Sequence, residues 1–133
     1  MPYTAVKAAG VFDTPAPMSQ STLTPVGRML HISGQTPQAE DGSTVAVGDI
    51  TGQTEKALSN IEALVEAAGG SLADVCRIVV YITDRTDLPA VMQVRKRMLP
   101  EPYPATTAIV AGGLGNREWL VEIEATAVLG DQK

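Results

Sequence analysis

The sequence has 133 residues, of which 44% are hydrophobic and 19% are charged, and its formal net charge is -5. This length fits one domain, spanning 1–133, with a sizeable core. The negative charge argues against a nucleic-acid partner, which needs clustered Lys and Arg, and the 4% aromatic content offers few rings for stacking on bases. No apolar run approaches the roughly 20 residues of a membrane-spanning helix, and no signal peptide is recognisable at the start. The single cysteine, Cys76, cannot form an internal disulfide, so a reducing, cytoplasmic location is expected.

The first third of the chain is predicted to form three strands. The alternating runs lie at 3–6, 21–24 and 29–33. A turn at 25–27 would pair the second run with the third. The third run stops at Gly34, where a backbone without Cβ can turn sharply or approach a ligand. The proline-rich stretch 13–21 between the first two runs is predicted to be an extended loop.

Two helices are predicted from apolar residues at helical spacing. Asp49 is expected to cap the first helix with its carboxylate, and the apolar stripe continues to Ala68 before Gly69-Gly70 ends the helix. Asp87 is expected to cap the second helix, which continues to about Leu99. Each helix therefore has one apolar stripe with which to cover a sheet.

Three further strands are predicted, at 75–83, 105–111 and 119–128. In the first of these, alternation places Cys76 on an apolar face with Ile78 and Val80, where a buried and inert thiol is expected. The order β-β-β-α-β-α-β-β favours an α+β fold.

The last predicted strand has the clearest division between its two faces. One face is apolar from Trp119 to Ala127, and the other alternates Leu120, Glu122, Glu124, Thr126 and Val128. Two interpretations of this mixed face stay open: a subunit interface or cleft, and a solvated acidic face. Since two helices can cover only one side of such a sheet, the apolar residues on the bare side predict burial against another subunit in a closed ring.

The chain resembles the RidA/YjgF family in this order and in four local signatures. They are Ile32-Ser33-Gly34-Gln35, Val65-Glu66-Ala67-Ala68-Gly69, Tyr103-Pro104-Ala105 and Val121-Glu122-Ile123-Glu124-Ala125. The resemblance implies a chorismate-mutase-like α+β fold, with a mixed sheet of about six strands and two helices packed on one face. It also implies homotrimers around an internal β-barrel, clefts between subunits, and hydrolysis of 2-imino or 2-enamino acids without metal or organic cofactor.

The resemblance assigns roles to several residues. Gly34 corresponds to a glycine whose backbone lines the cleft, and Glu122 to a glutamate that handles water or a proton. Ser33 is a further candidate for hydrogen bonding to a ligand. The roles of Glu124 and of His31, the only histidine, are open, and no Cys or second His joins His31 in a metal-binding pattern.

Three positions depart from the family pattern. Thr106 stands where deaminating members carry arginine, Ala108 where many carry cysteine, and Met18 where many carry tyrosine. A guanidinium holds a carboxylate with two hydrogen bonds, and losing such a charged contact costs about 2–5 kcal/mol of binding. We therefore expect a substrate that lacks the α-carboxylate or is held elsewhere. Arg117 is the nearest replacement cation by sequence.

These residues predict a trimeric deaminase or hydrolase for a small imine, enamine or related activated compound. Glu122 would handle the water or proton, and Gly34, Ala108 and Thr106 would orient the substrate. The alternative is a non-catalytic trimer that binds a small ligand or has a regulatory role. RNA cleavage, attributed to some relatives, fits the acidic, aromatic-poor composition least.

Overall fold

The computed structural model describes residues 3–130. Within them the chain forms six strands and two α-helices in the predicted order, which confirms the α+β class. The elements are β1 (Thr4–Ala5), β2 (Thr22–Leu23), β3 (Arg28–Gln35), α1 (Ile50–Ala67), β4 (Val75–Ile82), α2 (Leu88–Met98), β5 (Ala105–Val110) and β6 (Val121–Leu129). None of the described helices is long and apolar enough to cross a membrane.

The strands divide into two sheets. The main sheet has four strands in the order β3-β6-β4-β5, and a separate pair contains β1 and β2. Strand β5 runs parallel to β4, and β6 runs antiparallel to both β3 and β4. Strands β3, β4 and β5 therefore point in one direction, with α1 and α2 as the crossovers between them, and the last strand of the chain is inserted between β3 and β4.

The core lies between the main sheet and the two helices. The residues of β6 alternate as predicted, and those that face the helices are all buried: Val121, Ile123, Ala125 and Ala127. Leu58 and Val65 of α1 and Val91 of α2 are fully buried in the same cluster. Both helices thus cover one face of the sheet, as the apolar stripes predicted.

The opposite face of the main sheet, which we call the outer face, is mixed in character. Met29 is 54% exposed and Ile109 42% exposed on it, whereas Val128 is covered by Tyr3. The predicted position of Cys76 is wrong. A β-bulge between Val75 and Arg77 turns Val75 toward the helices and Cys76 toward Tyr3 on the outer face, where the thiol is buried all the same.

The predicted partner of β2 is also wrong, because β2 pairs with β1 and not with β3. The Thr22 hydroxyl donates to the Cys76 carbonyl at 3.0 Å, so β2 is bonded to β4 of the main sheet.

Both predicted helix caps occupy the expected positions without the expected hydrogen bond. Asp49 precedes α1, but its carboxylate lies against the Cα of Gly52 and accepts no backbone N–H of the first turn. Asp87 closes a 3₁₀ turn ahead of α2, and the N–H and hydroxyl of Thr86 bond to Asp84 instead. Gly69 adopts φ 94° after α1, as the predicted glycine stop requires.

Candidate functional site

Glu122 and Gly34 lie against each other at the edge of the sheet where β3 ends and β6 begins. A Cβ placed on Gly34 would stand 2.8 Å from Cδ and 2.9 Å from Cγ of Glu122. Real Cβ atoms do not approach carbon so closely, so the Glu122 side chain occupies space that only glycine leaves open. The structure thus gives a steric reason for glycine at position 34.

A β-bulge lies at this contact. Ile32 pairs with Ala125 and Gln35 pairs with Ile123, so Ser33 and Gly34 together face a single residue of β6, Glu124. The extra residue bends β3 at the position where Gly34 meets the Glu122 side chain. Ser33 is exposed beside it.

Tyr81 and Glu124 complete the acidic end of the outer face. The Tyr81 hydroxyl donates to Glu124 Oε1 at 2.6 Å, and this hydrogen bond raises the pKa of Tyr81. Glu122 stands directly opposite Tyr81 on the neighbouring strand. Within residues 3–130 Glu124 accepts a hydrogen bond from Tyr81, whereas no donor bonds to the Glu122 carboxylate. We call Ser33, Gly34, Tyr81, Glu122 and Glu124 the acidic half-site.

The start of β6 is held in place by a buried glutamine of α1. Gln53 Nε2 donates to the Glu118 carbonyl at 2.8 Å, and its Oε1 accepts from the Leu120 N–H, also at 2.8 Å. Trp119 between them is half-buried, its Nε1 bonded to the Thr44 hydroxyl at 3.1 Å, and the strand begins two residues later than predicted. These bonds fix the register that presents Glu122.

Met18 precedes a residue that bonds to the start of β5, and Thr106 and Ala108 lie on one face of that strand; we call these three residues the loop half-site. The loop before β2 docks on the start of β5, where the Ser19 N–H donates to the Pro104 carbonyl at 3.1 Å. The Thr106 hydroxyl donates to the same carbonyl at 3.1 Å. Its single proton is therefore used within the protein, and its lone pairs remain available to accept from a ligand.

The two half-sites lie on opposite faces of the sheet within one chain. Thr106 pairs with Ile78 and Ala108 with Val80, which places both on the helix side, since paired residues of neighbouring strands point to the same face. Glu122 pairs with Tyr81 on the outer face. One copy of the chain therefore does not bring Glu122 and Thr106 together.

Arg117 is not among the residues that define either half-site. It is exposed in the loop between β5 and β6, at the end of the sheet where Val110 and Val121 both pair with Ile82. This is the end that carries Glu122. Thr106 pairs four residues earlier on β4.

Two residues near the half-sites were assigned no role from the sequence. They are Tyr81, which bonds to Glu124, and Arg95, whose side chain is buried. An arginine at a core-facing position of α2 was the signal that could have identified it. Among the described residues, no three His, Cys, Asp or Glu side chains are grouped as a metal site would require.

Comparison with known proteins places this geometry in a family. Residues 11–129 match the family described as endoribonuclease L-PSP. A RutC family protein of Pyrococcus horikoshii is 39% identical over 101 residues, 76% of this chain and 79% of that protein. The 3-aminoacrylate deaminase RutC of Acinetobacter baylyi is 34% identical over 115 residues, 86% of this chain and 90% of that protein.

A solved structure gives the same result for the fold. The Rid family protein YyfB of Yersinia pestis superposes with a TM-score of 0.89 at 29% identity, covering 97% of this chain and 100% of that one. The chain belongs to the endoribonuclease L-PSP family, the family also called YjgF/RidA.

Proposed function

We propose that this protein hydrolyses a small imine or enamine to the corresponding carbonyl compound and ammonia. The observation that carries the proposal is the Glu122 carboxylate, which lies against Gly34 and is free of protein hydrogen bonds within residues 3–130. A relative of this chain is named a 3-aminoacrylate deaminase, which supports the same reaction class.

The chemistry needs one group that can take a proton and give it back. Glu122 takes a proton from water as the water oxygen bonds to the carbon of the C=N bond, and passes that proton to the nitrogen to give a carbinolamine. It then takes the hydroxyl proton as the C=O bond forms and passes it to the nitrogen as the C–N bond breaks and ammonia leaves. An enamine first becomes the imine by gaining a proton at carbon and losing one from nitrogen. A positioned carboxylate in this role contributes about 10²–10⁴-fold to the rate. The Thr106 oxygen accepts a hydrogen bond from the substrate N–H, and the backbone at Gly34 and Ala108 orients the rest of the substrate.

The reacting cleft is formed between copies of the chain. Glu122 and Thr106 lie on opposite faces of one sheet, so a site containing both needs the acidic half-site of one copy and the loop half-site of another. A homotrimer in which the outer faces surround an internal β-barrel supplies such clefts. It also covers the exposed Met29 and Ile109.

The family description also includes an endoribonuclease, but the charge of this chain favours a small-molecule substrate. A net charge of -5 repels a phosphate backbone, and aromatic residues that could stack on bases make up only 4% of the chain. We therefore propose that nucleic acid is not its substrate.

The proposal is tested by ammonia release from freshly generated 2-iminopropanoate and from simple imines without a carboxylate. Glu122→Gln is expected to lower the rate over the uncatalysed background by about 10²-fold or more, because an amide cannot carry the proton. Glu124→Gln is the matched control, since Glu124 lies on the same strand face but is held by Tyr81.

A native protein that releases no ammonia from either class of imine would reject the hydrolase. In that case the non-catalytic alternative, a trimer that binds a small ligand or regulates, would take its place. Equal activity in native protein and Glu122→Gln would reject the role of Glu122.

A further inference from the structure

Arg95 is a buried cation that has no partner of opposite charge within residues 3–130. Its side chain on α2 is only 2% exposed, and its Nε has no hydrogen-bond partner among these residues. The polar contact that it makes with them runs from Nη2 to the Pro17 carbonyl at 3.5 Å, the outer limit of a hydrogen bond. The two ion pairs within residues 3–130 join other side chains.

Such an arrangement is unfavourable for the folded protein. Burial lowers the pKa of Arg95, because removing a guanidinium from water disfavours its charged form. The group nevertheless stays charged at neutral pH, so its lost hydration is not compensated by a carboxylate or by well-formed hydrogen bonds. A buried charge with unfilled donors is suited to bind an anion that arrives from outside.

The position of Arg95 tells where that anion would lie. The guanidinium contacts Pro17, which precedes Met18, and the next residue, Ser19, bridges to the start of β5. Arg95 therefore borders the loop half-site. Thr106 there cannot donate to an anion, since its only proton already bonds to the Pro104 carbonyl.

We infer that Arg95 binds the carboxylate of a small organic-acid substrate at the loop half-site. Nε–H and an N–H of Nη2 lie along one edge of the guanidinium and match the two oxygens of a carboxylate. The incoming carboxylate replaces the long contact to Pro17. The inference deepens the proposed function and rests on it for the reaction, but the binding site is defined by the unfilled donors alone.

The test is equilibrium binding of pyruvate, with its neutral amide, pyruvamide, as the matched ligand. Native protein is expected to bind pyruvate and to discriminate against pyruvamide. Arg95→Met should weaken pyruvate binding about 30-fold or more, and Arg95→Lys less, because lysine keeps the charge but loses the two-pronged geometry. Arg97→Met is the control: Arg97 is exposed on the same turn and pairs with Glu55.

Thermal unfolding separates ligand binding from a structural role. Without ligand, Arg95→Met should unfold at a higher temperature than native protein, since it removes an uncompensated buried charge. An arginine that merely clamps the loop would lower the unfolding temperature when replaced. A lower unfolding temperature of Arg95→Met, or equal binding of pyruvate and pyruvamide to native protein, would overturn the inference.

A failure of the Arg95 binding site can be distinguished from a failure of the proposed hydrolase activity. Arg95-dependent pyruvate binding by a protein that releases no ammonia would uphold the carboxylate site and reject the reaction. Ammonia release from 2-iminopropanoate with an unchanged KM in Arg95→Met would uphold the reaction and reject the site.

Discussion

Replacing Gly34 by alanine isolates the contact on which the acidic half-site depends. The new methyl group would meet Cδ and Cγ of Glu122 at 2.8 and 2.9 Å, roughly an ångström inside the normal separation of two carbons. The backbone itself accepts alanine, because Gly34 is not among the residues with positive φ. The strain is therefore relieved by rotating the Glu122 side chain away.

The expected effect falls on catalysis and not on folding. A displaced general base forfeits about 10²–10⁴-fold in turnover. The free energy of unfolding should change by less than about 1 kcal/mol, since alanine also restricts the unfolded chain. The assay is ammonia release from 2-iminopropanoate, with urea unfolding of the same preparation.

Gly113→Ala provides the control, because a Cβ at Gly113 meets nothing within 4 Å. Gly34→Ala that keeps at least a third of native turnover would refute the placement of Glu122. In a double variant, Gly34→Ala should add little to the loss caused by Glu122→Gln, as both changes remove the same group.

Three further predictions concern the framework. Gln53→Leu leaves the Glu118 carbonyl and Leu120 N–H without their buried partner and should cost about 2–4 kcal/mol in urea unfolding, whereas an unchanged midpoint would contradict the anchoring role. Burial raises the pKa of Tyr3 to about 12, because it disfavours the phenolate. The protonated side chain therefore contributes on the order of 2 kcal/mol of stability, which is complete below pH 10 and is lost as the pH rises through 12. In Tyr3→Phe the free energy of unfolding should depend less on pH in that range. Burial likewise raises the pKa of the Cys76 thiol, so a thiol reagent should modify native protein far more slowly than protein in urea, and equal rates would contradict its burial.

The sequence pattern was sufficient for the main sheet and its helices. Buried and half-buried residues alternate in β6 over seven residues, from Val121 to Ala127, and the stripe of α1 ends at a glycine with positive φ. Such periodic patterns predict a helix or strand reliably, because each follows from the geometry of a single element. The resemblance to the RidA/YjgF family was confirmed by the family match over residues 11–129.

Tertiary irregularities account for what the pattern missed. A one-residue bulge reverses the side of Cys76, and no alternation rule contains it. Strand β2 pairs with β1 and also bonds to Cys76, 54 residues away, and no local pattern contains either contact. The separation of Glu122 from Thr106 follows from the register of β5 on β4, which the chain itself does not encode locally.

Subunit complementation tests most directly the claim that Glu122 acts in a cleft between copies. Glu122→Gln removes the proton carrier, and Ala108→Trp fills the loop half-site at an exposed position. Each variant alone should be inactive. After joint refolding in equal amounts, about a quarter of the clefts combine the intact half-site of each variant, so about a quarter of native ammonia release should return. Mixed protein that forms stable oligomers but remains as inactive as the separate variants would contradict the account.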